Sequence, residues 1–290
     1  MYLSVHCETC EPEKIKKNAV AESLANLQTV SNISAQSLIS NTLIGGDCFT
    51  ISNVTTVGNP LARGTFSNGT SNIGIGSGMV MSTGNVNILP GPNNQDGANG
   101  GFGTGGDDAD LSSLVDGELN DINIIEFDFT PTANTVQFDF IFGSEEYCEY
   151  VNSEYNDVFG FFISGPGIAG KQNLAIVPGS GGLPVTINNV NHVINNNYYV
   201  NNNVDFLSCP FQPALYVQEC QLDGWTTLFT AEANVIPCST YHIKLAIADV
   251  FDEFFDSAVF FRANSFNAGG TVSASPAYQD DLTSAYEGCA

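Results

Sequence analysis

Residues 145 to 157 carry Glu145, Glu146, Glu149, Glu154 and Asp157, and a second acidic run near the other end carries Asp249, Asp252, Glu253 and Asp256. Carboxylates at this density repel one another unless a cation or a set of hydrogen bonds gathers them. A hard divalent cation suits them best, because calcium takes about six to eight oxygen ligands from flexible loops. The expected Ca2+ ligands are Glu145, Glu146 and Asp157 from the first run and Asp249, Asp252 and Asp256 from the second, which requires the two runs to be neighbours in space. Adjacent Glu145 and Glu146 cannot both point one way in a regular strand, so at least one needs a loop conformation or serves a second ion. A third group, Asp107, Asp108 and Asp110, closes the Gly/Asn-rich stretch 90–110 and reads either as the end of a solvated linker or as a further calcium turn.

The same carboxylates admit a glycosidase couple, Glu145 or Glu146 opposite Asp249 or Asp256. That mechanism needs two carboxyls across an open cleft, one of them with a raised pKa. Clustered acids that share a cation stay ionised and make poor general acids. His192 lies in an Asn-rich tract and His242 in a strand, with no nucleophile elbow nearby, so no hydrolytic triad and no catalytic residue is assigned. The strings GIGSG and GGFGTGG are not followed by a helical pattern, as a dinucleotide fingerprint would be. Tyr198, Tyr199 and Trp225, beside the Asn-rich loops, are the candidate contacts for a carbohydrate.

The eight cysteines include no paired CxxC motifs of metal type and read as disulfides from an oxidising compartment. Cys209 and Cys220 bracket a short Pro-containing loop and are the expected pair, while Cys48, Cys148 and Cys238 adjoin strands and are candidates to staple the core. Cys7, Cys10 and Cys289 lie in the tails, where a bond to another chain is plausible; the connectivity is open, since eight cysteines allow about 105 pairings.

The elements that must hold these residues are strands. FDFIF before the first acidic run and VFGFFI after it alternate or run apolar, as do YHIKLAIA and AVFF around the second. CFTISNVTTVG gives a strand with a bulge near Asn53. INIIEFDFTP and TVQFDFIF, joined by a Pro131 turn, read as neighbouring antiparallel strands. Residues 11–29 suit a peripheral helix with Ile15, Val20, Leu24 and Leu27 on one stripe. A second short helix begins at the N-cap Ser34, buries Leu38, Ile39 and Leu43, and stops at Gly45. The expected fold is all-β, a β-sandwich or jelly roll of about ten to twelve strands with one or two short N-terminal helices. Its expected parts are an N-terminal extension over 1–33, helical or inter-subunit, the sandwich over 34–267, and a flexible tail over 268–290.

A formal charge of -24, from 31 acidic and 7 basic residues, argues against nucleic acid or an anionic membrane as partner. Only 13% of residues are charged against roughly 25% in ordinary globular proteins. The surface must then be built from Asn, Ser, Thr and Gly, as is common outside the cell. No window approaches the ~18 apolar residues of a membrane span. The start, MYLSVHCETCEPEKIKK, lacks the apolar core of a signal peptide, and the end, LTSAYEGCA, stops without a natural terminus, so the chain reads as a segment of a longer product.

The ordered set TLIGGDCFTISNVT, FDFIFGSEEYCEYVNSEYNDVFGFFISGPG, NLAIVPG, PVTINNVN, DGWTTLFTA and YHIKLAIADVFDEFFDSAVFF, from about Leu43 to Phe266, resembles the choice-of-anchor L domain family. These are domains of secreted surface proteins, best represented in Bacteroidota, that precede varied anchoring segments. The resemblance implies a surface-exposed, largely β module in adhesins and other large exported proteins. Extra cysteines (Cys148, Cys209, Cys220) and a missing sorting segment depart from the pattern. Together these readings favour a secreted, non-enzymatic structural or adhesive module, braced by calcium and disulfides. Its expected partners are copies of itself, assembled into a surface filament, or other surface proteins. A calcium-dependent carbohydrate-binding module that takes glycans is the alternative, and a glycoside hydrolase ranks below both.

Overall fold

In the computed structural model, the described residues are 26–45, 50–95, 97–203 and 219–268. The helix expected over 11–29 lies mostly outside them; its last residues instead enter a strand. The described strands are, in chain order, β1 (Gln28–Ser31), β2 (Thr50–Val57), β3 (Arg63–Ser67), β4 (Gly78–Ser82), β5 (Gly105–Gly106), β6 (Leu119–Thr130), β7 (Thr135–Ser144), β8 (Val158–Ser164), β9 (Lys171–Asn173), β10 (Val185–Thr186), β11 (Tyr199–Asn201), β12 (Gly224–Thr226), β13 (Phe229–Asn234), β14 (Tyr241–Val250) and β15 (Ser257–Arg262). They form two antiparallel sheets, a sandwich as the alternation implied. One sheet runs β1-β3-β4-β15-β7-β12-β11 with β13 also on β7; the other runs β10-β8-β14-β6-β2 with β5 on β6 and β9 on β8. Five of the fifteen strands have only two or three residues, too short for a two-residue period to announce, which explains the lower count expected from sequence.

The Phe-rich alternation builds the space between the sheets. Phe127 and Phe129 on β6 face Phe138 and Phe140 on β7, with Phe159, Phe161 and Phe261 between, all of them buried. Phe266 stacks on Phe138 with centroids 4.2 Å apart, and Phe161 meets the same ring edge-on at 4.4 Å. Here the sequence expectation of a β6–β7 hairpin is corrected. β6 pairs with β14 and β2, whereas β7 pairs with β15, β12 and β13. The Pro131 turn therefore carries the chain from one sheet to the other. Alternation reports which residues face a core, and it reads the same for two strands side by side as for two strands face to face.

Ser34 caps a single helical turn, α1 (Ala35–Leu38), by accepting from Ser37 N at 3.3 Å. A wider π turn continues it over Ile39–Leu43, and Leu38, Ile39 and Leu43 are fully buried. The bulge expected near Asn53 appears as a register shift between Ser52 and Thr55 with Asn53 at φ 53.

Three connections cross between the sheets at one end. Residues 145–157 lead from β7 to β8, 251–256 from β14 to β15, and 83–104 from β4 to β5. β15 lies between β4 and β7, and β14 between β8 and β6, so the three connections are brought alongside one another.

Candidate functional site

At that end the two acidic runs meet. Glu145 N donates to Asp256 O at 3.1 Å, Val250 N donates to Asp157 Oδ1 at 3.0 Å, and the Ser257 hydroxyl donates to Asp157 Oδ2 at 2.7 Å. Glu145, Glu146, Asp157, Asp249 and Asp256 are each at most 2% exposed. Burial on this scale is costly for a charge unless a counter-charge or hydrogen bonds compensate it. Compensation is incomplete: among the described residues no donor reaches Glu145 Oε1, Glu146 Oε2, Asp256 Oδ1 or either oxygen of Asp249. Asp249 sits beside Asp157 and Thr83 without making a bond of normal geometry to either. Asp252, half-buried, accepts from Phe254 N at 3.0 Å and lies close enough to Glu146 and Asp157 to repel them.

Burial, followed by mutual repulsion, drives the pKa values upward. The Glu145 and Asp249 carboxyls stand well above the ordinary range, Asp249 beside Asp157 and Asp256, and Glu145 beside Asp223. Burial lifts Glu146 to about 10, with Asp157 and Asp252 adding to it. Asp157 and Asp256 are lifted to about 7, held there against burial by hydrogen bonds from Ser257 and Val250 in one case and Gly100 in the other.

The glycine-rich connection 97–104 closes over this cluster and donates five backbone amides to it. Ala98 N reaches Glu145 Oε2 at 3.2 Å and Gly100 N reaches Asp256 Oδ2 at 2.7 Å. Phe102 N, Gly103 N and Thr104 N bind the two oxygens of buried Asp121 at 2.7, 3.2 and 2.7 Å. Small residues are needed for this approach: a Cβ at Gly84 would fall 1.9 Å from Asp256 Oδ2. Asn188 braces the first acidic run, accepting from Asn152 N at 2.5 Å and donating to Ser153 O at 2.9 Å. Asn203 donates to Tyr147 O at 2.7 Å and to Glu149. Sequence reasoning missed Asp121, Gly84, Asn188 and Asn203. The abundance of Gly and Asn was visible, but which of them turn inward was not.

No basic residue faces the cluster among those described. Arg63 hydrogen-bonds neutral groups, Arg262 meets Asp139 Oδ2 at 2.8 Å, Lys171 meets Asp110 Oδ2 at 2.6 Å, and Lys244 bonds Asp108 and, at 2.7 Å, Asp110. In the third acidic group, Asp108 and Asp110 are paired with lysines from β14 and β9, while Asp107 is exposed. As the side chains stand, no set of three His, Cys, Asp or Glu among the described residues forms a ready metal site.

Of the expected carbohydrate contacts, Trp225 and Tyr199 are buried and Tyr198 is half-buried. Trp225 is 2% and Tyr199 6% exposed, and Tyr198 packs against the core with its ring edge-on to Phe229 at 5.4 Å. Aromatic surface lies instead on the second crossing loop, where Phe251 and Phe254 are 44% and 50% exposed. Tyr155 stands edge-on to Phe251, and Tyr150 edge-on to Phe255. Cys220 is a free thiol, fully buried and pushed by burial up to about 12, so the expected Cys209–Cys220 bond is not formed. Cys148 and Cys238 each take part in a disulfide whose partner is not assigned among the described residues. Cys7, Cys10, Cys48, Cys209 and Cys289 lie outside the described residues. Among the described residues, no helix is long and apolar enough to cross a membrane.

Compared with models of known protein families, residues 26–267 match the Choice-of-anchor L domain. No curated protein and no solved structure matches the chain.

Proposed function

Because this chain belongs to the choice-of-anchor L domain family, a family of cell-surface modules, we propose that it is a non-enzymatic structural or adhesive module. In this reading bound calcium locks the three crossing loops, and disulfides add to the bracing. The observation that carries it is the group of five orphaned carboxylate oxygens on Glu145, Glu146, Asp249 and Asp256, buried with no basic side chain among the described residues to answer them. Hard oxygen donors from flexible loops are what calcium takes, and rotations about χ1 and χ2 would turn the orphaned carboxylate oxygens toward one ion. A glycosidase role is disfavoured because Glu145, Asp249 and Asp256 are at most 1% exposed, which leaves a sugar no route to them.

Adhesion or self-assembly enters through the edges of the sandwich. β1 lies at the edge of its sheet with Val30 59% exposed, an arrangement suited to strand addition from a neighbouring copy. The second reading, a calcium-dependent glycan binder, is favoured by exposed Phe251 and Phe254 beside the acidic loops. A glycan array in calcium separates the two: retention of defined sugars supports the binder, and filaments in electron micrographs of the native surface support assembly.

The calcium reading is tested by calorimetry of natively purified protein, first with calcium and then with excess chelator, together with elemental analysis. Binding to the folded state alone gives about 2.7 kcal/mol at one hundred times Kd, and roughly 5–10 °C in Tm for a domain of this size. An unchanged melting curve and no bound metal would overturn it.

A further inference from the structure

We propose that the cavity lined by Arg63 is a binding site for a small carboxylate, with a hexuronate-type acidic sugar as the occupant. This site is separate from the carboxylate cluster, and the proposal stands whether or not calcium binds there.

Arg63, on β3, is 7% exposed, and in a chain with 31 acidic residues it is the described cation that meets only neutral oxygens. Its Nη1 donates to Val57 O and to Asn123 Oδ1, each at 3.2 Å, and its Nη2 donates to Thr56 Oγ1 at 3.2 Å. A guanidinium has five donors. The Nε–H and one Nη2–H therefore remain without an acceptor among the described residues. A buried cation with no anion is an unfavourable arrangement that a bound anion relieves. Burial also lowers the Arg63 pKa, as expected for a desolvated guanidinium lacking a carboxylate.

Arg63 opens on a cavity of about 440 Å³, within the range of small-ligand sites. Asn32, Ser34 and Gln36 supply amide and hydroxyl groups, while Ile33, Val54 and Pro60 form an apolar strip. Among the described residues, no Asp or Glu lines it. One cation with two spare donors matches a monoanionic carboxylate held by two parallel N–H bonds better than a dianionic phosphate. The mixture of amides, hydroxyl and apolar strip matches a pyranose, which presents hydroxyls at its rim and C–H groups on its faces.

The test is calorimetric titration of the calcium-loaded full chain with D-glucuronate, D-glucose and acetate. Glucuronate is expected to bind, acetate to bind more weakly, and glucose not to bind. Arg63→Gln should weaken glucuronate at least about tenfold, the least expected for losing a charged hydrogen-bond pair. Since Arg63→Gln also removes bonds that tie β2, β3 and β6 together, Val54→Phe provides a second variant, which fills the cavity and leaves the guanidinium in place. It should weaken glucuronate to the same degree while keeping the wild-type circular dichroism. Absence of glucuronate binding in the tens of millimolar, or binding undiminished in folded Val54→Phe, would overturn the site. Acetate binding as tightly as glucuronate would overturn the sugar assignment.

Discussion

Asp256 carries the argument at the scale of one residue. Its Oδ2 accepts the Gly100 amide at 2.7 Å, its Oδ1 has no partner among the described residues, and burial lifts its pKa to about 7. Without a cation, a charge here costs stability; with one, the same charge is a ligand. Asp256→Asn keeps the oxygen that faces Gly100 and removes the charge. The variant should be about 1 kcal/mol more stable than wild type in chelator, by relief of an uncompensated buried charge. In calcium it should be less stable than wild type. Paired melting curves with and without calcium check the crossover, and a variant destabilised to the same extent in both conditions would contradict it. At this scale the sequence was informative about identity: the two runs that it singled out supply five of the acids buried together, while Asp121, which accepts three amides from the same connection, lies outside them. Their burial, and the amides that reach them, were not visible, because exposure depends on what covers a loop.

At the scale of elements, the ends of β7, β8, β14 and β15 set the site, since the strands on either side of each acidic run belong to different sheets. Strand patterns predicted strand, acidic loop, strand, and the fold realises that order twice. They also made β6 and β7 a hairpin, which the sheet topology refutes, because a two-residue period says nothing about the partner strand. Lys244 on β14 shows a second coupling between elements. It is 6% exposed and ties the turn holding Asp108 and Asp110 onto the sheet's outer face, beside the ring of Phe162 at 5.9 Å. Lys244→Met should cost about 2 kcal/mol, less than the roughly 3–5 kcal/mol for breaking a fully buried pair because Asp110 retains Lys171 and some water. Burial alone would raise the Asp110 pKa, but Lys171 and Lys244 hold it below its ordinary value. A depressed carboxyl stabilises the fold above its unfolded pKa, and that contribution is lost as pH falls through the folded value. The deficit of Lys244→Met, measured by urea unfolding, should therefore be full at pH 7 and shrink toward pH 3. A deficit independent of pH would mean that the lysine stem packs and the charge does nothing.

The whole molecule carries a formal charge of -24, and Glu145, Glu146, Asp157, Asp249 and Asp256 are turned inward at one end, where repulsion is least screened. For the metal-free protein the sign follows from raised pKa values. A carboxyl whose folded pKa exceeds its unfolded value near 4 costs nothing below that value, and stability is lost as pH rises through the folded pKa. With Asp157 and Asp256 at about 7 and Glu146 at about 10, the chelated protein should melt at a higher temperature at pH 5 than at pH 8. On the proposed calcium reading, whose ligands must be deprotonated, the increment from added calcium should be larger at pH 8. Equal melting temperatures at the two pH values in chelator would count against this account. By itself the sequence determined the all-β class, the family, the short capped helix and the two acidic runs between strands. Each of these is written in local spacing or in residue type. Only the tertiary structure decided that Pro131 carries the chain between sheets, that Trp225, Tyr199 and Cys220 face inward, that Asp108 and Asp110 belong to lysines, and that three connections cross side by side. Those facts depend on contacts between residues distant in the chain, and one chain's order of residues does not record which distant partners fill the space.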